Sequence, residues 1–144
     1  MGFVLTVGDL SEGLIGGIFP ACGMISAERV GTVDAADCAV ILRENSPEIS
    51  IKNALGVIFN GDTPPDALPD GVQLISVGIG AKNTVSISSR AADSITLSLN
   101  RTIHTEKGVC EPLELPVPAD ENADVYDYMS AFAATLLAAS EKMP

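Results

Sequence analysis

Apolar residues follow two different rhythms along this chain. In the first half they come in short continuous runs: Phe3 to Val7, Cys38 to Leu42, Gly56 to Phe59 and Val72 to Val77. Runs this short, ended by Gly, Asp or Asn, read as strands buried on both faces, as in parallel sheets. Ser46, Pro47 and Glu48 supply an N-cap, a first-turn proline and an early acid, which open a short helix. "NGDTPPDALPDG" reads as a turn and a short helix, whereas "SEGLIGGIFPACG" holds too much Gly and Pro for one. Strands alternating with short helices predict an α/β fold with right-handed crossovers.

After Gly80 the period becomes two. Val85 and Ile87 alternate with Thr84, Ser86 and Ser88, and Ile95, Leu97, Leu99 and Ile103 with Thr96, Ser98, Asn100 and Thr102. Val109, Leu113, Leu115 and Val117 form another alternating run. "EKG" between the last two suits a three-residue hairpin loop with Gly108 left-handed. That register pairs Thr105 with Val109, Ile103 with Glu111 and Arg101 with Leu113, in a hairpin near 95–117. It also puts Arg101 and Glu111 diagonally on the apolar face, as a partly buried ion pair or an anion site. Val125, Met129, Phe132 and Leu136 then repeat at helical spacing, flanked by Tyr128 and Leu137. They predict an amphipathic helix over about 122–141, capped by Asp120, Asn122 or Asp124. The expected architecture is thus α/β in one domain, 1–144: a short parallel sheet with crossover helices, continued by antiparallel strands and closed by that helix.

Charge narrows the partners. The chain of 144 residues has 19 Asp and Glu against 8 Lys and Arg, a net charge of -11, which repels DNA, RNA and anionic lipid. Cys22, Cys38 and Cys110 are odd in number and lack a CxxC spacing, so they read as unpaired thiols and point to the cytoplasm. One histidine, His104, leaves no multi-histidine metal site, and no apolar run is long enough to span a bilayer.

The order of the late segments resembles the central, ATP-binding domain of Mur ligases. "VIFNGDTP" and "QLISVG" match that family's N-x-D segment and following strand, and "LELPVPADENADVYDYMSAFAATLL" matches its L-P-x-P segment and helix, from Val57 to about Leu137. The resemblance places "VLTVGDLSEGLIGG" at the phosphate loop, but Leu14 and Ile15 follow Gly13 where the family has Lys and Thr. It puts Glu44, in "VILRENS", at the magnesium-binding acid, and Ala123, Asp124 and Asp127 at the family's His and Asn positions. ATP-dependent ligation needs the missing lysine to clamp the phosphoryl group, so the resemblance implies a shortened, degenerate relative.

The expected function is therefore non-catalytic, through protein association or homo-oligomerisation, with no cofactor. The alternative is a small anion or nucleotide held by Asn60, Asp62, Lys82, Asn83, Thr84, Arg101 and His104; the family's N-x-D acid faces the ATP ribose. Lys82, Arg90, Arg101, His104 and Lys107 gather most of the cations into one third of the chain. "GIGAKNT" precedes an alternating strand instead of a helix, so it reads first as a turn and second as a phosphate-binding loop. A small enzyme using Cys110, His104 or Glu44 is a third class, without a nucleophile–base pair at a recognisable spacing.

Overall fold

The structure, a computed structural model, describes residues 3–7, 23–27, 31–34, 38–42, 49–64, 68–105, 107–118 and 124–138. Strands β1 (Phe3–Val7), β4 (Cys38–Leu42), β6 (Gly56–Asn60) and β7 (Leu74–Val77) lie where the apolar runs place them. They join β2 (Gly23–Ala27), β8 (Val85–Arg90), β9 (Ser94–Leu99) and β12 (Leu113–Pro118) in an eight-stranded sheet of order β12-β9-β8-β7-β6-β4-β1-β2. Pairing is parallel from β2 to β8 and antiparallel from β8 to β12. Two small sheets stand apart: β3 (Gly31–Asp34) with β5 (Ile49–Lys52), and β10 (Ile103–Thr105) with β11 (Gly108–Cys110).

The α/β class with crossover helices is not what the described residues form. The fold is mostly β, and among the described residues the one helix is α1, Val125–Ala138. Residues 78–84 run from β7 directly into β8 as turn and bend, and a parallel crossover carrying a helix needs about ten residues or more. The short helix expected at Ser46 opens outside the described residues, and Ile49–Lys52 beyond it is a strand. Its sequence, "ISIK", alternates β-branched with polar residues, as a strand does. The connection from β6 to β7 is bend and irregular chain in its described part.

The expected hairpin is also corrected. Leu99 pairs with Leu113, but Ile103 pairs with Cys110 and Thr105 with Gly108. Four steps along one chain segment match three along the other, so the ladder breaks at 100–102 and 111–112. Positions 106 and 107 alone link the strands; Gly108 takes φ of +115° within β11. Arg101 and Glu111 fall in the break and both are exposed, not packed. The Arg101 guanidinium donates instead to the Lys82 carbonyl at 2.7 Å.

Helix α1 starts at Asp124, whose carboxylate accepts from the Tyr126 amide at 2.8 Å, as an N-cap does. The expected amphipathic pattern gives way to burial on every side: each residue from Asp127 to Leu137 is buried, including Asp127, Ser130 and Thr135. Met129, Phe132 and Leu137 pack into a core with Ile41, Ile58, Ile75, Leu97 and Leu99 from the sheet. Alanines at 131, 133 and 134 are buried as well, which a two-faced reading of the helix misses because Ala marks neither face.

Two outcomes are expected in urea denaturation. Phe132→Ala removes a fully buried ring and should cost about 3–5 kcal/mol. A double-mutant cycle of Arg101→Met with Glu111→Leu should show coupling below about 0.5 kcal/mol, the level of an exposed pair.

Candidate functional site

The chemistry-bearing residues converge where β6 ends, around residues 60–62, 76–84 and 126. Asn60 closes β6 with its side chain: Oδ1 accepts from the amides of Asp62 at 2.9 Å and Thr63 at 3.2 Å. This Asx turn stops the strand and aims Asp62 toward the β7–β8 loop. Asp62 Oδ2 accepts from the Ile79 amide at 2.8 Å and from the Tyr126 hydroxyl at 2.9 Å, while Oδ1 accepts from Asn83 Nδ2 at 3.1 Å. The Ile79 amide foremost holds this carboxyl below its ordinary value of 3.8, against the opposing pull of burial. Tyr126, Asn83 and the Gly80 backbone act in the same direction.

Loop 78–84 is tied down from several other sides. Asn83 is 1% exposed; its amide group also donates to the Gly80 carbonyl at 2.9 Å, and its own carbonyl accepts from Asn100 at 3.0 Å. Asn100 donates to Ser86 Oγ as well and accepts from Ser98 Oγ. The amide of buried Thr84 donates to Ser76 Oγ at 3.0 Å. Gly61 donates its amide to the Val77 carbonyl at 2.8 Å. Two glycines are dictated by space here. A Cβ on Gly78 would lie 2.6 Å from Asp62 Oδ1, and one on Gly61 would lie 2.8 Å from the Ser76 Cβ and against the Asn83 side chain.

The structure thus brings Asn60, Asp62, Asn83 and Thr84 together, with Lys82 and Arg101 at the rim. Lys82 and Arg101 are exposed and meet through the Lys82 carbonyl, not through a shared ligand. His104 lies elsewhere, on β10, where Gln73 accepts from its amide at 2.9 Å and donates to its carbonyl at 2.8 Å. Glu44 and residues 8–22, where the resemblance places most of the phosphate loop, lie outside the described residues. Tyr126, Ser76 and Asn100 were not foreseen as members. A hydroxyl on the first turn of a helix carries no periodic signal of what it touches 64 residues away.

Cys110 and His104 do not form a nucleophile–base pair. His104 pairs with Val109 and Cys110 with Ile103, so the two side chains leave opposite faces of the ribbon. The exposures agree: His104 and Val109 are exposed, while Ile103 is buried and Cys110 half-buried. Burial, and next the charge of Glu111, push the Cys110 thiol up, which lowers its thiolate fraction. Among the described residues, no group of three or more His, Cys, Asp or Glu could hold a metal. Nor, among them, is any helix long and apolar enough to cross a membrane.

No family model, curated protein or solved structure matches the chain.

Asp62→Asn keeps the shape but sets an amide against the loop's donors, and should cost about 1–2 kcal/mol at neutral pH. A carboxyl lowered by folding stabilises above its ordinary value of 3.8. That contribution is lost as the pH falls from there through the folded value. The stability gap between wild type and Asp62→Asn, from urea titrations, should therefore be widest at neutral pH and shrink in acid below that value.

Proposed function

We propose that this chain is a non-catalytic, Mur-ligase-like domain that acts through protein association. The relationship rests on the text of residues 57–137 and does not carry the α/β class with it. One observation supports the reading above others: Asp62 of the N-x-D segment accepts a hydrogen bond from Tyr126 of the V-Y segment. The two stretches that carry the resemblance meet in space, and they meet through the acid that faces the ribose in the family. Here both oxygens of that acid are taken by the chain itself. A ribose hydroxyl would have to displace those donors.

Association needs a rigid surface with an apolar anchor. Loop 78–84 supplies one: the Ile79 amide is fixed on Asp62, yet its side chain is 59% exposed. Holding the loop in one conformation beforehand lowers the entropy lost on binding.

Thermal denaturation with Mg-ATP tests the non-catalytic half of this reading. A ligand at a hundred times its dissociation constant adds about 2.7 kcal/mol, and no such rise is expected; micromolar binding that is lost with chelator would overturn it. Sedimentation tests the other half. Self-association that weakens in Ile79→Asp is the expected result. A wild-type protein that stays monomeric at every concentration would exclude self-association as the mode.

A further inference from the structure

Loop 78–84 does not merely contact Asp62; it surrounds a carboxylate. The Ile79 amide and the Tyr126 hydroxyl converge on one oxygen, Asn83 Nδ2 donates to the other, and the Gly80 backbone adds a further pull. These donors come from the loop backbone, a loop side chain and the first turn of α1, so no single local turn explains their convergence. One backbone amide, one carboxamide and one hydroxyl thus converge on a single anionic group from three separate places in the fold. Gly78 and Gly61 leave it room, since a Cβ on either would strike the carboxylate or the Asn83 side chain that binds it.

We propose that loop 78–84 is a binding site for small carboxylates whose resident anion is the chain's own Asp62, and that a free carboxylate takes the same place when Asp62 is removed. The donor set defines the ligand class. No Lys or Arg donates to Asp62 among the hydrogen bonds of the described residues, and every donor in contact is neutral. Neutral donors on two oxygens suit a planar monoanion. A phosphate dianion would bring a second charge with no cation in contact to balance it, in a chain whose net charge is already -11. The loop's geometry alone defines this site, independently of protein association.

Acetate is the probe, because its methyl and carboxylate reproduce the Asp62 side chain beyond Cα. Asp62→Gly vacates the site and leaves space for that methyl. Its thermal midpoint should rise in acetate, relative to chloride at the same ionic strength, by about 3 °C or more. Phosphate should raise it less, and the wild-type midpoint should not respond to acetate. An Asp62→Gly protein indifferent to acetate would overturn the proposal, and so would an equal rise in wild type. If Asp62→Gly does not fold in chloride, recovery of its folded far-ultraviolet circular dichroism in acetate, and less in phosphate, supports the site, and a chain that stays unfolded in molar acetate overturns it.

Discussion

The sheet changes direction at one weak seam, and the fold depends on how that seam is closed. β7 and β8 share a single ladder position, Val77 with Val85. On one side lie the parallel strands, on the other the antiparallel β8, β9 and β12. A single pair is far less than strands elsewhere in the sheet contribute to one another, as the six pairs joining β9 and β12 show. The Asp62 carboxylate and its donors make up the difference. They fasten the end of β6, the β7–β8 loop and the start of α1 at one point, while Asn100 binds that loop to the end of β9. Helix α1 then crosses beneath both halves, touching β4, β6 and β7 on one side of the seam and β8 and β9 on the other. The polar knot sets the orientation, and the apolar helix packs its buried side chains against both halves.

How much of this was legible depends on the range of the signal. β1 and β4 are bounded as the apolar runs bound them, because a run of "FVLTV" or "CAVIL" ended by polar or glycine residues is a local statement about burial. Met129, Phe132 and Leu136 are all buried on α1, as their spacing requires. The failures share a cause. Parallel strands usually keep company with crossover helices, but here a loop connects β7 to β8. One continuous alternation predicts a single hairpin register, but a one-residue irregularity at 100–102 divides it into two ladders and leaves Arg101 and Glu111 exposed. A slip of one residue exchanges the faces of a strand, so sequence alternation alone does not reveal it.

The candidate residues divide in the same way. Asn60, Asp62, Asn83 and Thr84, expected as ligand contacts, do gather in one place, where Asp62 binds Asn60 and Asn83 while Thr84 binds Ser76. Residue type carried the message that these side chains seek partners; it did not carry which partners. His104 was grouped with them by charge, yet its backbone is held by Gln73 at the β10 ribbon. Lys82 and Arg101 are near because the Arg101 guanidinium seats on the Lys82 carbonyl, a bond made by the backbone of one and the side chain of the other. No pattern of charges along the sequence encodes such a contact.

The choice of an acid at the centre of this knot has a physical consequence in so anionic a chain. A lysine or arginine in place of the present donors would bind Asp62 by Coulomb attraction, which salt screens when the pair is partly exposed. An amide, a hydroxyl and a carboxamide act through short, directed hydrogen bonds that lose little to added salt. They also demand geometry: each donor must be placed to within the reach of a hydrogen bond, and Gly61, Gly78 and the Asx turn at Asn60 satisfy that demand. A cationic anchor would tolerate a looser loop. The close packing around the carboxylate, where even a Cβ on Gly78 has no room, follows from using neutral donors to hold a charge.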